Sequence, residues 1–171
     1  MIEALPEDRS GYSAKGDKRA VLRLLTIVIM CNKSEAKKLV GKSMNNISEL
    51  GKTGEIIAAN YLERNGYEIL ETNFQNKIGY RVGEIDIIAR EKRTGEIAFV
   101  EVKTRQKGSW DSENPELAIT RAKYKKLTRI IERYLRQNNL EDTPHRLDAI
   151  AIEIETETKK ARLRHLKYIY Y

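Results

Sequence analysis

Apolar positions along the chain divide it into two helical and five extended segments. Over residues 46–66 apolar side chains recur every three or four positions, which predicts an amphipathic helix that ends at Asn65 and Gly66. The same period predicts a longer helix over residues 116–138. Short apolar runs bounded by polar turns predict five strands, over residues 67–74, 82–90, 96–105, 146–155 and 161–171. This order of elements indicates an α/β domain.

Residues 1–43 precede the periodic sequence, and we expect them to form an N-terminal extension outside the fold. Their apolar stretch, residues 20–31, contains Arg23 and is too short to span a bilayer, so we expect no membrane association. No small-residue cleavage pattern follows this stretch, which argues against a signal peptide. We therefore expect it to be a short helix or part of the extension, and we place the domain at residues 44–171.

Two predicted strands that a short loop connects carry charged residues at positions where a buried strand would have apolar ones. Glu84 and Asp86 lie in the first strand, and Glu101 and Lys103 lie in the second. If the strands form a hairpin, Asp86 faces Glu101 across it and Glu84 faces Lys103. The Cβ atoms of such directly opposite residues are roughly 5 Å apart. The sequence therefore predicts two carboxylates side by side, with an ammonium group nearby.

The loop of this hairpin fixes that register. It spans residues 92–95, and Gly95 suits the left-handed backbone conformation that a loop of this length needs. Glu91 then pairs with Glu96, and every later pair follows because the side-chain alternation of a strand allows no slip without exchanging its faces.

The predicted pair of carboxylates, Asp86 and Glu101, would be unfavourable on a half-buried surface without a cation between them. Lys103 can supply that charge in a salt-bridge ladder, and this interpretation stays open. A second acid instead suggests a divalent ion, and oxygen-only ligands favour Mg²⁺ or Mn²⁺. One cysteine and two histidines do not make a zinc site of the usual kind. A single cysteine also excludes an internal disulfide and fits a reducing, cytoplasmic compartment.

Two more acids lie at positions that the sequence pattern places partly in the core. Glu55 falls at the border between the apolar and polar faces of the first helix, where it is either a surface glutamate or part of a site. Asp148 is in phase with Ile150 and Ile152 of its strand, so we expect it to be partly buried and paired with Arg146.

The second helix combines an apolar stripe with a basic one. The apolar stripe predicts the side that faces the core and consists of Leu127, Ile130, Ile131, Tyr134 and Leu135. The opposite, basic stripe consists of Lys126, Arg129, Arg133 and Arg136. Lys123 falls near the apolar edge, where it either faces a pocket or extends to solvent. The net charge is +7, and residues 103–136 hold ten basic and four acidic residues, so the stripe is either a polyanion-binding surface or a solvated face.

This order of helices, strands and charges resembles that of the PD-(D/E)xK nucleases, which share the restriction-endonuclease-like fold. More closely, the chain resembles the YraN family of bacterial proteins, which are often described as predicted endonucleases. The similar segments are "GEIIAANYLERNGYEILETNF", "GEIDIIARE", "FVEVKTR", "RAKYKKL" and "RLDAIAI", in the family's order and spacing. The resemblance implies a three-layer α/β/α fold around a mixed sheet of about five strands.

The resemblance also implies roles for individual residues. Asp86 and Glu101 would bind Mg²⁺ or Mn²⁺. Lys103 would orient or help deprotonate the attacking water. Glu55 would complete the catalytic group, and Glu84 is a further candidate acid. From the pattern of basic residues, and not from the resemblance, we expect nucleic acid to contact Arg105, Lys123, Lys126, Arg129 and Arg133.

Three functions are consistent with these features. The first is a metal-dependent endonuclease that hydrolyses DNA phosphodiester bonds, with branched or damaged DNA as a candidate substrate. The second is a non-catalytic nucleic-acid-binding module with a structural acidic cluster, and the third is a protein-interaction domain. We expect DNA as the partner and no small-molecule cofactor, and a homodimer is an open alternative to a monomer.

Overall fold

The computed structural model describes residues 25–30, 47–75, 83–108, 119–155 and 160–169. These residues form two helices and six strands. The helices are α1 (Ile47–Arg64) and α2 (Arg121–Gln137). The strands are β1 (Leu25–Met30), β2 (Tyr67–Gln75), β3 (Glu84–Glu91), β4 (Ile97–Gln106), β5 (His145–Glu155) and β6 (Lys160–Leu166).

All six described strands belong to one sheet, in the order β1-β6-β5-β4-β3-β2. β4 and β5 run parallel, and every other neighbouring pair is antiparallel. A parallel pair needs a crossover, and α2 lies in the connection between β4 and β5. The prediction of an α/β domain is confirmed, its sheet is mixed, and each of the five predicted strands is present.

β1 differs from what we expected for residues 1–43. Leu25–Met30 pairs antiparallel with β6 over its whole length and forms an edge of the sheet, whereas we expected a short helix or a segment outside the fold. The run LTIVIM is rich in β-branched residues, which favour a strand. Residues 1–24 and 31–46 lie outside the described residues, so the domain boundary at residue 44 stays a prediction.

The two helices cover opposite faces of the sheet. The α1 side of the core contains Ile57, Ala58, Tyr61 and Leu62 from the helix, with Ala98, Val100, Ile150 and Ile152 from the sheet. The α2 side contains Leu127, Ile130, Ile131, Tyr134 and Leu135 from the helix, with Ile97, Phe99, Leu147 and Ala149 from the sheet. Successive residues of β4 and β5 thus alternate between the two sides, as the pleat requires. The predicted apolar stripe of α2 is confirmed. Neither described helix combines the length and apolarity needed to cross a membrane.

The β3–β4 hairpin has the predicted register. The backbone N–H of Glu91 donates to the carbonyl oxygen of Glu96 at 2.9 Å, and Gly95 has a φ of 75°. From the loop, the ladder of paired residues runs as far as Ile87 and Val100. A four-residue loop therefore determined the alignment of the two strands, as the sequence pattern indicated.

α2 begins at Arg121, later than the predicted start at residue 116. Thr120 caps the helix: its backbone is extended (φ −72°, ψ 159°), and its Oγ1 accepts a hydrogen bond from the N–H of Lys123 at 3.2 Å. Ile119 is buried without being helical. Its apolar side chain extended the helical period beyond the true start of the helix, and for this reason the predicted boundary was wrong.

A buried charged cluster lies at the hairpin-loop end of the sheet. Its centre is Arg146, whose side chain is 1% exposed. Arg146 Nε donates to both carboxylate oxygens of Asp148, at 3.2 and 3.1 Å. Its Nη1 donates to Glu91 at 3.0 Å and also to Glu96, and its Nη2 donates to the Tyr67 hydroxyl at 2.8 Å. Burial lowers the pKa of Arg146, but the nearby carboxylates, Asp148 foremost, hold that pKa above its ordinary value.

Asp148 has further partners in the same cluster. It is fully buried, accepts a hydrogen bond from the backbone N–H of Tyr168 at 3.0 Å, and lies 3.0 Å from Nε2 of His165. The Tyr168 hydroxyl donates to Glu96 at 2.9 Å. The predicted pairing of Asp148 with Arg146 is confirmed, and both residues are fully enclosed. We call this set of residues the arginine cluster: Arg146, Asp148, His165, Glu91, Glu96, Tyr67 and Tyr168.

Candidate active site

Asp86 and Glu101 meet where β3 and β4 separate. The ladder ends at Ile87 and Val100, one residue before them. Asp86 Oδ2 then accepts a hydrogen bond from the backbone N–H of Val102 at 2.6 Å. The Asp86 side chain thus replaces a backbone acceptor between the two strands, and this hydrogen bond anchors its carboxylate where β3 and β4 separate. We call this point, with Asp86 and Glu101, the strand fork. The predicted side-by-side placement of the two acids follows from the hairpin register.

The carboxyl group of Asp86 lies where a negative charge is unfavourable. Burial and the neighbouring charge of Glu101 raise its pKa from 3.8 to about 7, against the lowering effect of the hydrogen bond from Val102. Glu55 adds a smaller unfavourable interaction and Lys123 a smaller favourable one. The fork therefore holds more negative charge than its surroundings neutralise, and a bound cation would relieve that imbalance.

Glu101 has a cationic partner, and this partner comes from α2. Lys123 Nζ forms an ion pair with Glu101 Oε1, and the two side chains are 39% and 11% exposed. The sequence left open whether Lys123 faces a pocket or extends to solvent, and the structure places it in a pocket. The pocket is lined by Glu101, Lys103, Ile119, Lys123 and residues 149–151 of β5.

The expected pairing of Glu84 with Lys103 is not observed. Glu84 accepts a hydrogen bond from Gln75 Nε2 of β2 at 2.9 Å, because the β3–β4 ladder does not continue to these residues. Lys103 is exposed and lines the pocket. Among the described residues Lys103 forms no ion pair with Asp86 or Glu101, so the salt-bridge ladder is wrong in its choice of lysine. Arg105, farther along β4, is half-buried.

Glu55 lies on α1, which covers the face of the sheet opposite α2 and approaches β4 closely. A Cβ atom built on Gly54 would lie 1.7 Å from Thr104 Oγ1 and 2.8 Å from Thr104 Cβ, so only glycine fits there. Glu55 itself is half-buried and acts on Asp86 electrostatically. The sequence indicated Glu55 but missed Gly54, although a glycine inside a helix is a recognised sign of close packing.

The site offers two adjacent carboxylates and not three. Among the described residues no group of three or more His, Cys, Asp or Glu side chains is arranged to hold a metal ion, so Glu55 does not join Asp86 and Glu101 in one set of ligands. Mg²⁺ usually binds through one or two carboxylates and keeps several waters. Asp86 and Glu101, with oxygen donors and an excess of negative charge, therefore fit Mg²⁺ or Mn²⁺.

The basic stripe of α2 lies mostly on the outer surface. Lys126 and Arg129 are exposed. Arg136 is exposed and pairs with Glu132 at 3.5 Å. Arg133 is half-buried, and its Nε atom is buried without a hydrogen-bond partner among the described residues. The stripe therefore presents Lys126 and Arg129 more openly to a ligand than Arg133.

Comparison with known proteins identifies the family. The sequence profile of "Uncharacterised protein family UPF0102" matches residues 54–152. The "UPF0102 protein" of Geotalea daltonii is 37% identical over 127 residues, which cover 74% of this chain and 93% of that protein. The protein of the same name from Acetivibrio thermocellus is 36% identical over 125 residues, covering 73% and 91%. That from Geobacter metallireducens is 43% identical over 110 residues, covering 64% and 83%. The chain therefore belongs to the YraN family, UPF0102.

Proposed function

We propose that the protein is a metal-dependent endonuclease that hydrolyses phosphodiester bonds in DNA, on a fold of the restriction-endonuclease-like type. The observation that carries this proposal is the meeting of Asp86 and Glu101 at the strand fork, beside a pocket that presents two lysines. Adjacent carboxylates suit a divalent ion, and nearby ammonium groups suit a phosphate. Hydrolysis of a phosphodiester needs both, because negative charge grows on the phosphoryl oxygens in the transition state.

Each residue of the site has a role in this proposal. Asp86 and Glu101 would hold Mg²⁺ or Mn²⁺. When bound, the ion would neutralise charge on the phosphoryl oxygens and lower the pKa of a water molecule. Lys103, exposed at the pocket, would orient the attacking water. Glu55 would act through its electrostatic effect on Asp86, since it is not part of the ligand set.

The surface of α2 supports DNA as the substrate. Lys123, Lys126 and Arg129 follow one another at a spacing of three residues, so successive side chains of this row are neighbours on the helix surface, which the row crosses from the apolar edge to the basic stripe. The row begins at the pocket, where Lys123 contacts Glu101. A nucleic-acid backbone bound along this row would therefore be led to the two carboxylates.

A cleavage assay over a panel of DNA structures tests the proposal. Linear, branched and nicked DNA are incubated with Mg²⁺, Mn²⁺ or EDTA, and calorimetry measures binding of the same ions. Asp86→Asn should abolish metal binding and cleavage while DNA affinity is kept or increases, because one anion near the phosphate is gone. Asp142→Asn removes an exposed acid beyond α2 and serves as the matched control.

A second pair of variants distinguishes the role of Lys103 in cleavage from the role of the metal ligands. Lys103→Met should retain metal binding and lose cleavage, by about 10²- to 10⁴-fold if the lysine assists proton transfer. Lys125→Met, which removes an exposed lysine of α2, should leave both unchanged. Wild-type protein that binds no divalent ion would contradict the endonuclease. DNA binding without cleavage on any substrate would favour the non-catalytic module.

The salt dependence of DNA binding tests the role of the basic row. Replacing Lys126 and Arg129 by Gln should weaken binding and reduce the slope of log K against log [salt] by about two units, at roughly 0.9 per phosphate contact. Replacing Lys92 and Arg93, exposed in the hairpin loop at the other end of β3, is the matched control. An unchanged slope would make α2 an ordinary solvated surface. No measurable DNA binding would favour a protein-interaction domain.

A further inference from the structure

The ion pair between Lys123 and Glu101 occupies one of the two carboxylates that the proposed function needs. Glu101 is 9% exposed, so few other groups can reach its carboxylate oxygens. Lys123 Nζ lies on Oε1 of that carboxylate. A divalent ion that binds Glu101 would therefore meet an ammonium group already in contact with it, and two cations at one carboxylate repel each other.

We propose that Lys123 competes with the divalent ion for Glu101, and that its displaced ammonium group then binds a phosphate of the DNA. Metal and DNA would thus bind cooperatively. This inference rests on the proposed function, because it assigns to Lys123 a regulatory part in the same site.

Three features of the pocket support this exchange. The backbone of Lys123 is held by the Thr120 cap, so the flexible side chain can move while the helix stays in place. The side chain is 39% exposed, which leaves it a path out of the ion pair. The other lining residues are apolar except for Lys103, which is also cationic. The nearest other acid, Asp86, would be held by the same divalent ion, so an incoming anion is the best partner for Lys123 once it is displaced from Glu101.

Thermodynamic linkage makes the exchange measurable from either side. If metal releases Lys123 for DNA, then DNA must increase the affinity for metal by the same factor. Removing Lys123 should have two opposite effects. Without DNA the competitor is lost, so metal binds more tightly. With DNA the coupling between the two ligands becomes weaker, because the group that responds to both is gone.

The first experiment measures Mn²⁺ affinity by calorimetry, without DNA, for wild type, Lys123→Met and Lys125→Met. Lys125 is exposed on the same helix, so its replacement removes the same charge without touching Glu101. Lys123→Met should bind Mn²⁺ at least about fivefold more tightly than Lys125→Met, which is the low end of typical coupling between sites. Mn²⁺ should also raise the melting temperature of Lys123→Met by more than it raises that of Lys125→Met.

The second experiment measures affinity for a DNA duplex in Ca²⁺ and in EDTA, with the DNA checked for integrity afterwards. Ca²⁺ should strengthen DNA binding by wild type and Lys125→Met by a larger factor than binding by Lys123→Met. Equal Mn²⁺ affinities for the two variants, or equal Ca²⁺ effects on DNA binding, would overturn the exchange and leave the endonuclease standing. If wild type binds no divalent ion, the proposed function falls together with this inference.

Discussion

The protein carries two charged clusters on one sheet, and they differ in how fully their charged groups are hydrogen-bonded within the protein. In the arginine cluster, the guanidinium group of Arg146 is surrounded by three acids and donates a hydrogen bond to each of them: Asp148, Glu91 and Glu96. At the strand fork, a single, partly exposed Lys123 pairs with Glu101 and favours the charge of Asp86 only weakly. The cation of the first cluster is buried and hydrogen-bonded to each of its acids, whereas the cation of the second is partly exposed and leaves Asp86 with an unfavourable charge.

This difference supports a structural role for the arginine cluster and the proposed function of the fork. The arginine cluster connects β2, β3, β5, β6 and the segment after β6, because its members come from all of them. Its buried polar groups are satisfied within the protein, so a ligand has nothing to add there. The fork keeps a buried carboxyl group whose negative charge is unfavourable, and a strongly raised pKa of this kind is typical of functional sites.

Replacing the cation of each cluster, Arg146 or Lys123, is the strongest test of the difference between the two clusters. Arg146→Met leaves several carboxylates buried beside an apolar side chain, and it should lower the free energy of unfolding by about 3–5 kcal/mol. Lys123→Met breaks a partly exposed ion pair and should cost less than about 1 kcal/mol. Urea denaturation of both variants measures the difference. A loss for Arg146→Met no larger than that for Lys123→Met would contradict the structural role of the arginine cluster.

The close approach of α1 to β4 gives the next largest effect. Gly54→Ala places a Cβ atom against Thr104 and should destabilise the protein by about 1–3 kcal/mol, as overpacking usually does. Gly51→Ala is the matched control on the same helix, because a Cβ there meets nothing within 4 Å. It should stabilise by up to about 1 kcal/mol through helix propensity.

A double variant connects this packing to the fork. Thr104→Ala removes the nearest atom, Oγ1, and should recover part of the stability lost in Gly54→Ala. The pKa of Asp86, followed by NMR, should fall in Gly54→Ala, because displacement of α1 moves the charge of Glu55 away. Equal stabilities of Gly54→Ala and Gly51→Ala would show that the helix has more room than the structure indicates.

Local chemistry explains what could be predicted from the sequence. The loop at residues 92–95 and its Gly95 fixed the hairpin register, and with it the meeting of Asp86 and Glu101. The apolar period of α2 identified its buried side correctly. In these cases residues close in sequence, or directly opposite across one hairpin, determine the result.

Long-range packing explains what could not be predicted. The partner of Glu101 comes from α2, so hairpin geometry alone selected Lys103 and missed Lys123. Gly54 matters only because β4 passes beneath it. Tyr168 joins the arginine cluster through its backbone N–H, and the periodicity of apolar residues cannot predict such a contact. The pairing of β1 with β6 likewise depends on an edge that is open only in the folded sheet.

A smaller effect is expected from removing one charge at the fork. Asp86→Asn keeps a side-chain oxygen that can accept the hydrogen bond from Val102 but removes the repulsion with Glu101. In EDTA at pH 8 it should stabilise the protein by up to about 1 kcal/mol, the value of an unfavourable cross-strand pair. Asp142→Asn, at an exposed site, should change stability little. Destabilisation by Asp86→Asn would mean that the charge of Asp86 stabilises the folded protein, as we expect of the charges in the arginine cluster.

The pH dependence of stability tests the same charge, because burial and the repulsion with Glu101 disfavour the ionised form of Asp86 in the folded protein. The folded protein holds the Asp86 proton up to a pKa of about 7, whereas an unperturbed aspartate releases it near 3.8. Between these values the folded state binds more protons than the unfolded state, so the contribution of Asp86 to stability decreases as pH rises and is constant above about pH 7. In EDTA, the melting temperature of wild type relative to that of Asp86→Asn should therefore increase as pH is lowered from 8 to 5. Asp142→Asn should follow the wild-type profile. Parallel profiles for wild type and Asp86→Asn would show that Asp86 is charged throughout this range, and the contrast between the fork and the arginine cluster would then lose its electrostatic basis.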